Sequence, residues 1–252
     1  MSIIIANWKM NLSLEESVTL VKAIDERIGK LKELELVICP SFVFLDRIGQ
    51  FLSNKKSKIK LGAQDIFWEE KGAYTGEISG KMLKEMGCEY VIIGHSERRG
   101  YLNETDEMVH QKVKTALDER LIPIICVGES FRERRSGQKD YVVIKQVNYA
   151  LKGIEVVGSQ KIIIAYEPVW VIGSGQAVKP EEAEYTHQVI RQALLDLYSP
   201  DLIEKNFRII YGGSVDGKNI KSFLQREMVD GVLVGGASIK VETFIALVNK
   251  SI

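Results

Sequence analysis

The stretch Ile3-Ile4-Ile5-Ala6-Asn7-Trp8-Lys9-Met10, residues 3–10, forms the first predicted strand and its exit in this chain of 252 residues. Its apolar run is continuous rather than alternating, which predicts a strand buried on both faces, as in a parallel sheet. The run leads into Asn7 and Lys9, and no G-x-G-x-x-G segment follows it. An open dinucleotide-binding sheet usually has that glycine motif after its first strand. The opening stretch therefore favours a closed barrel over an open sheet.

Further apolar, β-branched runs recur along the chain, and helix-period segments separate most of them. With the first run, the predicted strands cover residues 3–6, 36–39, 59–62, 90–93, 122–127, 161–165, 208–211 and 231–234. Alternating strands and helices predict parallel strands with crossover helices. Eight such units in about 250 residues match the size of a closed (β/α)8 barrel. We therefore predict an α/β fold in which residues 1–252 form a single (β/α)8 barrel domain, with eight parallel strands inside a layer of helices.

Capping signals place several of the outer helices. Ser13 and Glu16 have the spacing of a capping box, and Pro180 suits the first turn of a helix. The last helix is expected to begin near Ser238. The apolar face of the first helix is predicted to consist of Leu14, Val21, Ile24, Ile28 and Leu31.

The charged residues balance: 34 Lys and Arg side chains oppose 34 Asp and Glu, so the formal net charge is zero. Such a chain has no general attraction to nucleic acid or to an anionic membrane surface. We expect neither as a partner. Any anion that the protein binds must therefore be held by a local site.

The cysteines and the N-terminus indicate a cytoplasmic protein. Cys39, Cys88 and Cys126 are odd in number and far apart, so neither a disulfide framework nor a zinc site is expected. The N-terminus lacks the basic segment of a signal peptide. No apolar run approaches the roughly 18 residues that a membrane span needs.

Polar and glycine residues follow the carboxyl ends of most predicted strands. In a parallel barrel these ends share one face, where sites form. The groups that follow successive strands are Asn7 and Lys9, Gln64-Asp65, Gly94-His95-Ser96-Glu97-Arg98-Arg99, Gly128-Glu129, Glu167, Gly212-Gly213-Ser214 and Gly235-Gly236-Ala237-Ser238. Each alone has an ordinary structural interpretation. Their convergence on one face makes a functional interpretation the better one.

Some polar residues are nevertheless assigned structural roles. His110 and His187 lie within helical segments and are expected to be structural. An ion pair between Glu129 and the arginines Arg98 and Arg99 is slightly favoured over a direct role in chemistry.

Two glycine pairs indicate the class of ligand. Gly212-Gly213 and Gly235-Gly236 lie between a strand and a helix, where bare backbone can direct several N–H groups at an anion. The loops after strands seven and eight are the usual phosphate site of a barrel. Neither pair is followed by Lys-Ser or Lys-Thr, so a P-loop is excluded. We therefore predict a phosphate monoester, with residues 173–175 as a hinged segment that closes over it.

The remaining groups suggest proton transfer next to a carbonyl. Glu167, at the end of strand six, is the natural base. His95 should begin a helix, whose dipole disfavours the imidazolium and leaves a neutral N–H donor for an oxyanion. Lys9 adds positive charge. No metal-ligand cluster or cofactor motif is evident, so a cofactor-independent reaction on a small phosphorylated sugar is expected.

Five long motifs resemble triosephosphate isomerases, in order and over the full length of the chain. They are Ala6-Asn7-Trp8-Lys9-Met10-Asn11, Gly94-His95-Ser96-Glu97-Arg98-Arg99, Ala165-Tyr166-Glu167-Pro168-Val169-Trp170, Tyr211-Gly212-Gly213-Ser214-Val215 and Val234-Gly235-Gly236-Ala237-Ser238. The resemblance implies a TIM barrel. It also implies interconversion of dihydroxyacetone phosphate and glyceraldehyde 3-phosphate without cofactor or metal, as in glycolysis and gluconeogenesis.

The resemblance also implies roles for individual residues. It makes Glu167 the catalytic base and His95 the electrophile, as in the family's known division of roles. Lys9 and Asn7 would bind substrate, and Glu97 would be a supporting acid. The phosphate contacts would come from Gly173, Ser214, Gly235 and Gly236.

The family further implies a homodimer, in which the loop after strand three docks beside the partner's active site. Gln64-Asp65 and Gly72-Ala73-Tyr74-Thr75-Gly76-Glu77 resemble that loop, and Thr75 would reach the partner's pocket.

The chain departs from the family pattern around the hinged segment. Val171, Ser174 and Gln176 replace the family's usual alanine, threonine and lysine. Lys179 replaces the usual threonine before Pro180, which removes a side-chain helix cap. These departures bear on the motion of the segment and on local stability, not on the reaction.

Two other functions fit parts of the pattern. A Schiff-base aldolase would bind phosphate in a similar barrel, but it needs a reactive lysine where strand six leads into Tyr166-Glu167. A non-catalytic phosphosugar sensor would need only the phosphate site and would have no need of both Glu167 and His95. An isomerase uses all of these groups and is our prediction.

Overall fold

A computed structural model describes residues 2–28, 34–173 and 175–251. Within these residues, parallel strands close into a barrel in which each strand pairs with the next and the last pairs with the first. The strands are β1 (Ser2–Asn7), β2 (Leu34–Cys39), β3 (Lys60–Ala63), β4 (Tyr90–Ile93), β5 (Ile122–Val127), β6 (Ile162–Tyr166), β7 (Phe207–Tyr211) and β8 (Gly231–Val234). The predicted closed (β/α)8 barrel is confirmed.

Helices cover the outside of the barrel. They are α1 (Leu14–Ile28), α2 (Leu45–Lys55), α3 (Gly80–Glu85), α4 (Ser96–Tyr101), α5 (Asp106–Asp118), α6 (Phe131–Arg135), α7 (Lys139–Leu151), α8 (Pro180–Leu195), α9 (Pro200–Asn206), α10 (Ile220–Leu224) and α11 (Val241–Asn249). Short 3-10 turns occur at Phe42–Phe44, Val169–Val171 and Gly236–Ser238.

The capping box predicted at the start of α1 is formed. The Ser13 N–H donates to Glu16 Oε2 at 2.8 Å, and the Glu16 N–H donates to Ser13 Oγ at 3.3 Å. Two orphan donors of the first turn are thus satisfied reciprocally. Leu31, assigned to the apolar face of this helix, lies outside the described residues.

The start of the last helix differs from the prediction. Ser238 ends a 3-10 turn, and α11 begins three residues later, at Val241. The Ser238 hydroxyl is buried and donates to the Gly235 carbonyl at 2.7 Å, which closes the turn on itself. A tight turn therefore follows the second glycine pair where a helix start was expected.

Successive strand residues pack into two separate cores, which explains the continuous apolar runs. Ile3 and Ile5 belong to a cluster inside the barrel, whereas Ile4 and Ala6 belong to the larger cluster between the sheet and the helices. Because both faces of each strand are buried, alternation of polar and apolar residues is lost. The barrel interior is a packed core, and a site has to form at its ends.

Cys39, Cys88 and Cys126 are buried free thiols. Within the three described ranges, no helix is long and apolar enough to cross a membrane.

Candidate active site

A cavity of about 540 Å³ opens at the carboxyl ends of the strands. The predicted catalytic, substrate-binding and supporting residues all line this cavity: Asn7, Lys9, His95, Glu97, Glu167, Gly173, Ser214, Gly235 and Gly236. These residues come from five different strand ends and one loop. Closure of the barrel therefore brings together groups that lie up to 229 positions apart in the sequence.

Glu167 enters this cavity directly from β6. Its side chain is only 2% exposed. Glu167 Oε2 accepts a hydrogen bond from the Ser96 N–H at 2.9 Å, at the start of α4. Glu167 Oε1 lies 3.0 Å from His95 Nε2. One carboxylate oxygen is thus held by a backbone N–H, and the other faces His95.

His95 is the N-cap residue of α4. Its Nδ1 accepts a hydrogen bond from the Glu97 N–H at 3.3 Å. A nitrogen that accepts carries no proton, so a neutral ring has its proton on Nε2. That is the nitrogen facing Glu167, on the side of the cavity.

Glu167 and His95 shift each other's pKa. Burial alone would lower the pKa of His95, but the Glu167 carboxylate, together with that of Glu97, outweighs burial and raises the pKa. This direction is opposite to the one expected from the helix dipole, because that expectation left out the carboxylate. Burial alone would raise the pKa of Glu167, but His95, the Ser96 N–H and Lys9 hold it below its ordinary value. Glu167 is therefore ionised, as a base must be.

Lys9 has an unusual backbone conformation for a residue other than glycine, with φ of 52°. Three side chains hold it there. Asn7 Oδ1 accepts from the Lys9 N–H at 3.0 Å, while Ser41 Oγ and Gln64 Nε2 each donate to the Lys9 carbonyl at 2.9 Å. A left-handed conformation costs roughly 1–2 kcal/mol, which these bonds offset. The strain fixes the direction in which the lysine leaves the barrel.

The ammonium of Lys9 pairs with Glu97 across the cavity wall. Lys9 Nζ lies 2.5 Å from Glu97 Oε1. The side chains of both residues are partly exposed, so solvent screens the pair and it adds little stability. Its role is to hold a cation at the rim of the site.

The glycine-rich loops after β7 and β8 form another part of the cavity wall. A Cβ on Gly213 would lie 2.2 Å from the Tyr211 hydroxyl, and one on Gly235 would lie 3.2 Å from Lys9 Cε. These positions exclude larger side chains and leave bare backbone at the cavity. No helix start stands directly behind Ser214 in the described chain, since α10 begins only at Ile220. Backbone amides rather than a helix terminus would therefore bind an anion here.

The predicted proline and glycine residues lie on either side of the turn after Glu167, where the hinged segment begins. A 3-10 turn at Val169–Val171 follows Pro168, and Gly173 and Gly175 both have φ of 74°. The left-handed conformation favours glycine, so these residues suit a segment that changes shape. Ser174 lies outside the described residues.

A family model described as triosephosphate isomerase matches residues 2–251. Similar proteins of that name include one from Dictyoglomus thermophilum, 48% identical over 247 residues, and one from Caldanaerobacter subterraneus subsp. tengcongensis, also 48% identical over 247 residues. A third, from Clostridium botulinum strain Langeland, is 46% identical over 248 residues. Each alignment covers 98% of this chain and 98% of the relative.

The chain belongs to the triosephosphate isomerase family.

In this triosephosphate isomerase family member, Glu129 anchors the 3-10 turn that leads into the hinged segment, a role that the sequence did not indicate. It is fully buried and accepts from Trp170 Nε1 at 2.9 Å and from the Tyr166 hydroxyl at 3.2 Å. Arg134 lies over the Trp170 ring, 4.4 Å from its centroid, and bonds Glu182 on α8. The expected pairing of Glu129 with Arg98 or Arg99 is wrong. Its nearby arginine is Arg134, 3.8 Å away.

Arg98 instead joins a buried ion network behind the site. It pairs with Asp65 at 2.7 Å and with Glu104 at 2.6 Å, and Lys112 contacts the same two carboxylates at 2.7 and 2.8 Å. Glu104 also accepts from the Gly94 N–H at 2.9 Å, next to His95. The network therefore supports the segment that carries His95. Glu104 and Lys112 lie away from strand ends, so the sequence search did not find them.

Ser96 and Gly128 both adjoin Glu167, although the sequence gave neither of them an individual role. A Cβ on Gly128 would lie 1.7 Å from the Glu167 carbonyl, so glycine permits the close approach of β5 and β6. The predicted helix start at His95 was the signal that could have placed the Ser96 N–H in the site.

The two other histidines lie outside the cavity. His187 is fully buried, its Nδ1 lies 2.8 Å from the Met228 carbonyl, and burial lowers its pKa to about 4. His110 Nδ1 lies 3.3 Å from the Ala150 carbonyl. Both contacts are with backbone carbonyls, at Ala150 on α7 and at Met228 in the turn before β8, which agrees with a structural role.

Thr75 does not reach the cavity of its own chain. It is exposed on the long loop after β3, whose base is held by a bridge between Phe67 and Ser79. A second cleft of about 500 Å³ adjoins the active-site cavity and is lined by Lys9, Glu97 and the exposed side chains of Met10 and Val43.

Proposed function

We propose that this chain interconverts dihydroxyacetone phosphate and D-glyceraldehyde 3-phosphate, with Glu167 as base, His95 as electrophile and Lys9 as cation. Membership of the triosephosphate isomerase family supports the reaction. One observation supports the division of roles: a buried carboxylate, an imidazole and an ammonium line one cavity with two glycine-rich loops.

The reaction needs no electron from outside the substrate. The Glu167 carboxylate takes a proton from the carbon beside the carbonyl, and the C–H electron pair becomes the C=C bond of an enediolate. The carbonyl electron pair moves onto oxygen. Return of the proton to the neighbouring carbon, with a proton passing between the two oxygens, completes the isomerisation.

The developing oxyanion would be stabilised by His95 and Lys9. The proton on His95 Nε2 is positioned by the acceptor role of Nδ1, and Lys9 Nζ adds a full positive charge. Preorganised donors of this kind usually supply the largest share of catalysis in acyl and proton transfer.

Substrate binding has to separate Glu167 from His95. The two groups lie 3.0 Å apart, but one must meet a substrate carbon and the other a substrate oxygen. The substrate therefore replaces a contact in which the two groups shift each other's pKa. Once they are apart, the carboxylate no longer favours the imidazolium, and a neutral His95 follows.

The phosphate would bind to backbone at Gly173, Ser214, Gly235 and Gly236. Asn7 and Lys9 would also bind substrate, and Glu97 would support Lys9. Closure of the hinged segment would then exclude water from the enediolate, which would otherwise lose its phosphate. Glycines at residues 173 and 175 supply the freedom for that closure.

A coupled assay tests this proposal. The purified protein, without added metal or cofactor, should turn over glyceraldehyde 3-phosphate, and a phosphorylated acid that mimics the enediolate should inhibit by binding more tightly than substrate. Tight phosphosugar binding without turnover would instead indicate a sensor. Trapping of substrate by borohydride would indicate a Schiff-base aldolase.

We further infer a homodimer in which Thr75 enters the second cleft of the partner. Met10 is 94% exposed and Val43 81% exposed, and both line that cleft beside Lys9. Apolar side chains so exposed are typical of an interface. A loop docked there would contact the backbone around Lys9, whose left-handed conformation directs the lysine side chain into the active site.

We infer also that residues 1–252 form one domain that works in the cytoplasm, in glycolysis and gluconeogenesis. The closed barrel supports a single domain, because removal of any strand would open it. Buried free thiols suit a reducing compartment.

A further inference from the structure

Ser214 reaches the cavity on a loop that links β7 to α10. Ser214, Val215 and Asp216 line the cavity, whereas Asn219, which is half-buried, lies outside the lining. The loop has little regular structure of its own between Tyr211 and Ile220. Its shape must therefore be set by side chains.

Asn219 and Asp216 fasten the loop from both sides. Asn219 Nδ2 donates to the Ser214 carbonyl at 3.1 Å, and Asn219 Oδ1 accepts from the Asp216 N–H at 2.9 Å. Asp216 Oδ1 in turn accepts from the N–H groups of Lys218 at 2.7 Å and Asn219 at 3.2 Å. We call these four hydrogen bonds the Asn219 clasp.

The clasp is attached to a rigid part of the molecule. Ile220, the next residue, is fully buried, and Val215 is 6% exposed. The carbonyl of Asn219 also accepts from Ser222 Oγ at 2.7 Å. A side chain anchored in this way can hold the loop without itself touching a ligand.

The clasp fixes the two peptide planes on either side of Val215. Peptide groups are planar and trans, so holding the Ser214 carbonyl also sets the direction of the Val215 N–H. Holding the Asp216 N–H does the same for the second plane. The backbone beside Ser214 is thereby arranged before any ligand arrives, which lowers the ordering cost of binding.

We propose that Asn219 is a positioning residue for the phosphate end of the substrate, acting through the backbone of Ser214 and Val215. This inference rests on the proposed function, since it assigns the phosphate group to this loop. The ligand that the clasp favours is a phosphate monoester. Asp216 lines the same cavity, and two N–H groups on its carboxylate offset part of the repulsion that a phosphate would meet there.

The phosphate group of the substrate lies away from the carbon that loses its proton. A variant that is defective only in phosphate binding should therefore differ from the parent protein only with ligands that carry phosphate. Binding energy from such a remote group affects only substrates that carry it. Loss of the clasp should weaken triose phosphate turnover and inorganic phosphate binding together. Turnover of glyceraldehyde, which lacks the phosphate, should be unaffected.

The test compares Asn219→Ala with the parent protein and with Ser222→Ala. The control, Ser222→Ala, removes one hydrogen bond, from Ser222 Oγ to the Asn219 carbonyl. It keeps the hydrogen bond from Asn219 Nδ2 to the Ser214 carbonyl. For Asn219→Ala we expect the Kd of inorganic phosphate, measured by calorimetry, and the KM for triose phosphate to rise roughly 3- to 10-fold, as loss of one or two hydrogen bonds predicts. The control should keep the parent values, and kcat/KM for glyceraldehyde should be unchanged in both.

Unchanged phosphate affinity in Asn219→Ala would overturn the inference, as would an equal fall in glyceraldehyde turnover, since that would reveal a general structural defect. If Asn219→Ala does not fold, Asn219→Ser keeps a good N-cap residue but is too short to form both loop contacts, and the same results are expected. Phosphate calorimetry does not depend on turnover. An inactive parent protein would therefore refute the proposed function separately from the clasp.

Discussion

At the scale of single residues, the proposed base Glu167 and the proposed electrophile His95 depend on each other because both are buried. A carboxylate that is 2% exposed stays ionised only through its contacts with His95, the Ser96 N–H and Lys9. Removing a contact should therefore change the pKa of the remaining group as well as the rate.

Glu167→Gln tests the base itself. Glutamine has nearly the same shape but cannot accept the proton, so kcat should fall by at least roughly 10²-fold while the protein stays folded. Steady-state kinetics and far-UV circular dichroism would measure both. The same substitution at Glu89, which pairs with Lys60 at the other end of the barrel, should leave kcat unchanged. Activity surviving in Glu167→Gln would mean that another residue is the base.

His95→Gln tests the coupling through pH. His95 lowers the pKa of Glu167, so without it the effect of burial dominates and that pKa rises. Glu167 must be ionised to act, so the acid limb of kcat/KM should move to higher pH in the variant, in addition to the fall in rate. The Glu167 carboxyl can be followed by carbon NMR. His110→Gln, on α5, is the control, and an unmoved acid limb would show that the two groups are not coupled.

At the scale of elements, α8 follows the hinged segment and starts without a side-chain cap. Lys179 has the N-cap conformation, with φ of −65° and ψ of 143°, but its side chain accepts no hydrogen bond from the N–H groups of the first turn. Pro180 at the first helical position and the acidic residues Glu181 and Glu182 in the first turn are the local start signals. The sequence-based expectation of a missing cap agrees with the structure.

Lys179→Thr should stabilise the protein. A threonine hydroxyl at this position would accept a hydrogen bond from the first turn, and removal of the lysine takes a positive charge from the helix N-terminus. We expect a gain of about 1 kcal/mol in the free energy of unfolding, measured with urea. Lys179→Ala separates the two effects, because it removes the charge without supplying a cap. Equal stability of the Thr and Ala variants would contradict the capping argument.

At the scale of the whole molecule, the proposed dimer joins two active sites through the segment that bears Lys9. The cleft beside Lys9 and the exposed loop carrying Thr75 lie on the same chain, so each partner would supply both halves of the contact. An interface of this kind is self-complementary under two-fold symmetry.

Val43→Glu tests the proposed interface. Burying an unpaired carboxylate is costly, so the dissociation constant of the dimer should rise by at least about 10-fold, and activity should fall with dilution. Light scattering and sedimentation would give the mass. Tyr141→Glu changes a side chain that is 66% exposed on α7, outside the cleft, and should leave the mass unchanged. A Val43→Glu protein that remains dimeric would place the interface elsewhere.

The barrel and the main candidate site residues follow from the pattern along the chain, because strands buried on both faces give continuous apolar runs and parallel strands end on one face. Asn7, His95, Glu167 and the glycine pairs could be found on that logic alone. The start of α11 could not be placed, since a 3-10 turn and a helix share the same short-range signals at Ser238.

The contacts between side chains that are far apart in the chain depend on the tertiary structure. In the folded chain, Glu129 accepts a hydrogen bond from Trp170 and does not pair with Arg98 or Arg99. Arg98 instead pairs with Asp65 and Glu104. His95 lies against Glu167, so the pKa of His95 is raised and not lowered. The physical reason is that pKa values and ion pairs depend on distance and burial in space. A pattern along the chain shows where a charge enters the site, and only the closed barrel determines which opposite charge it meets.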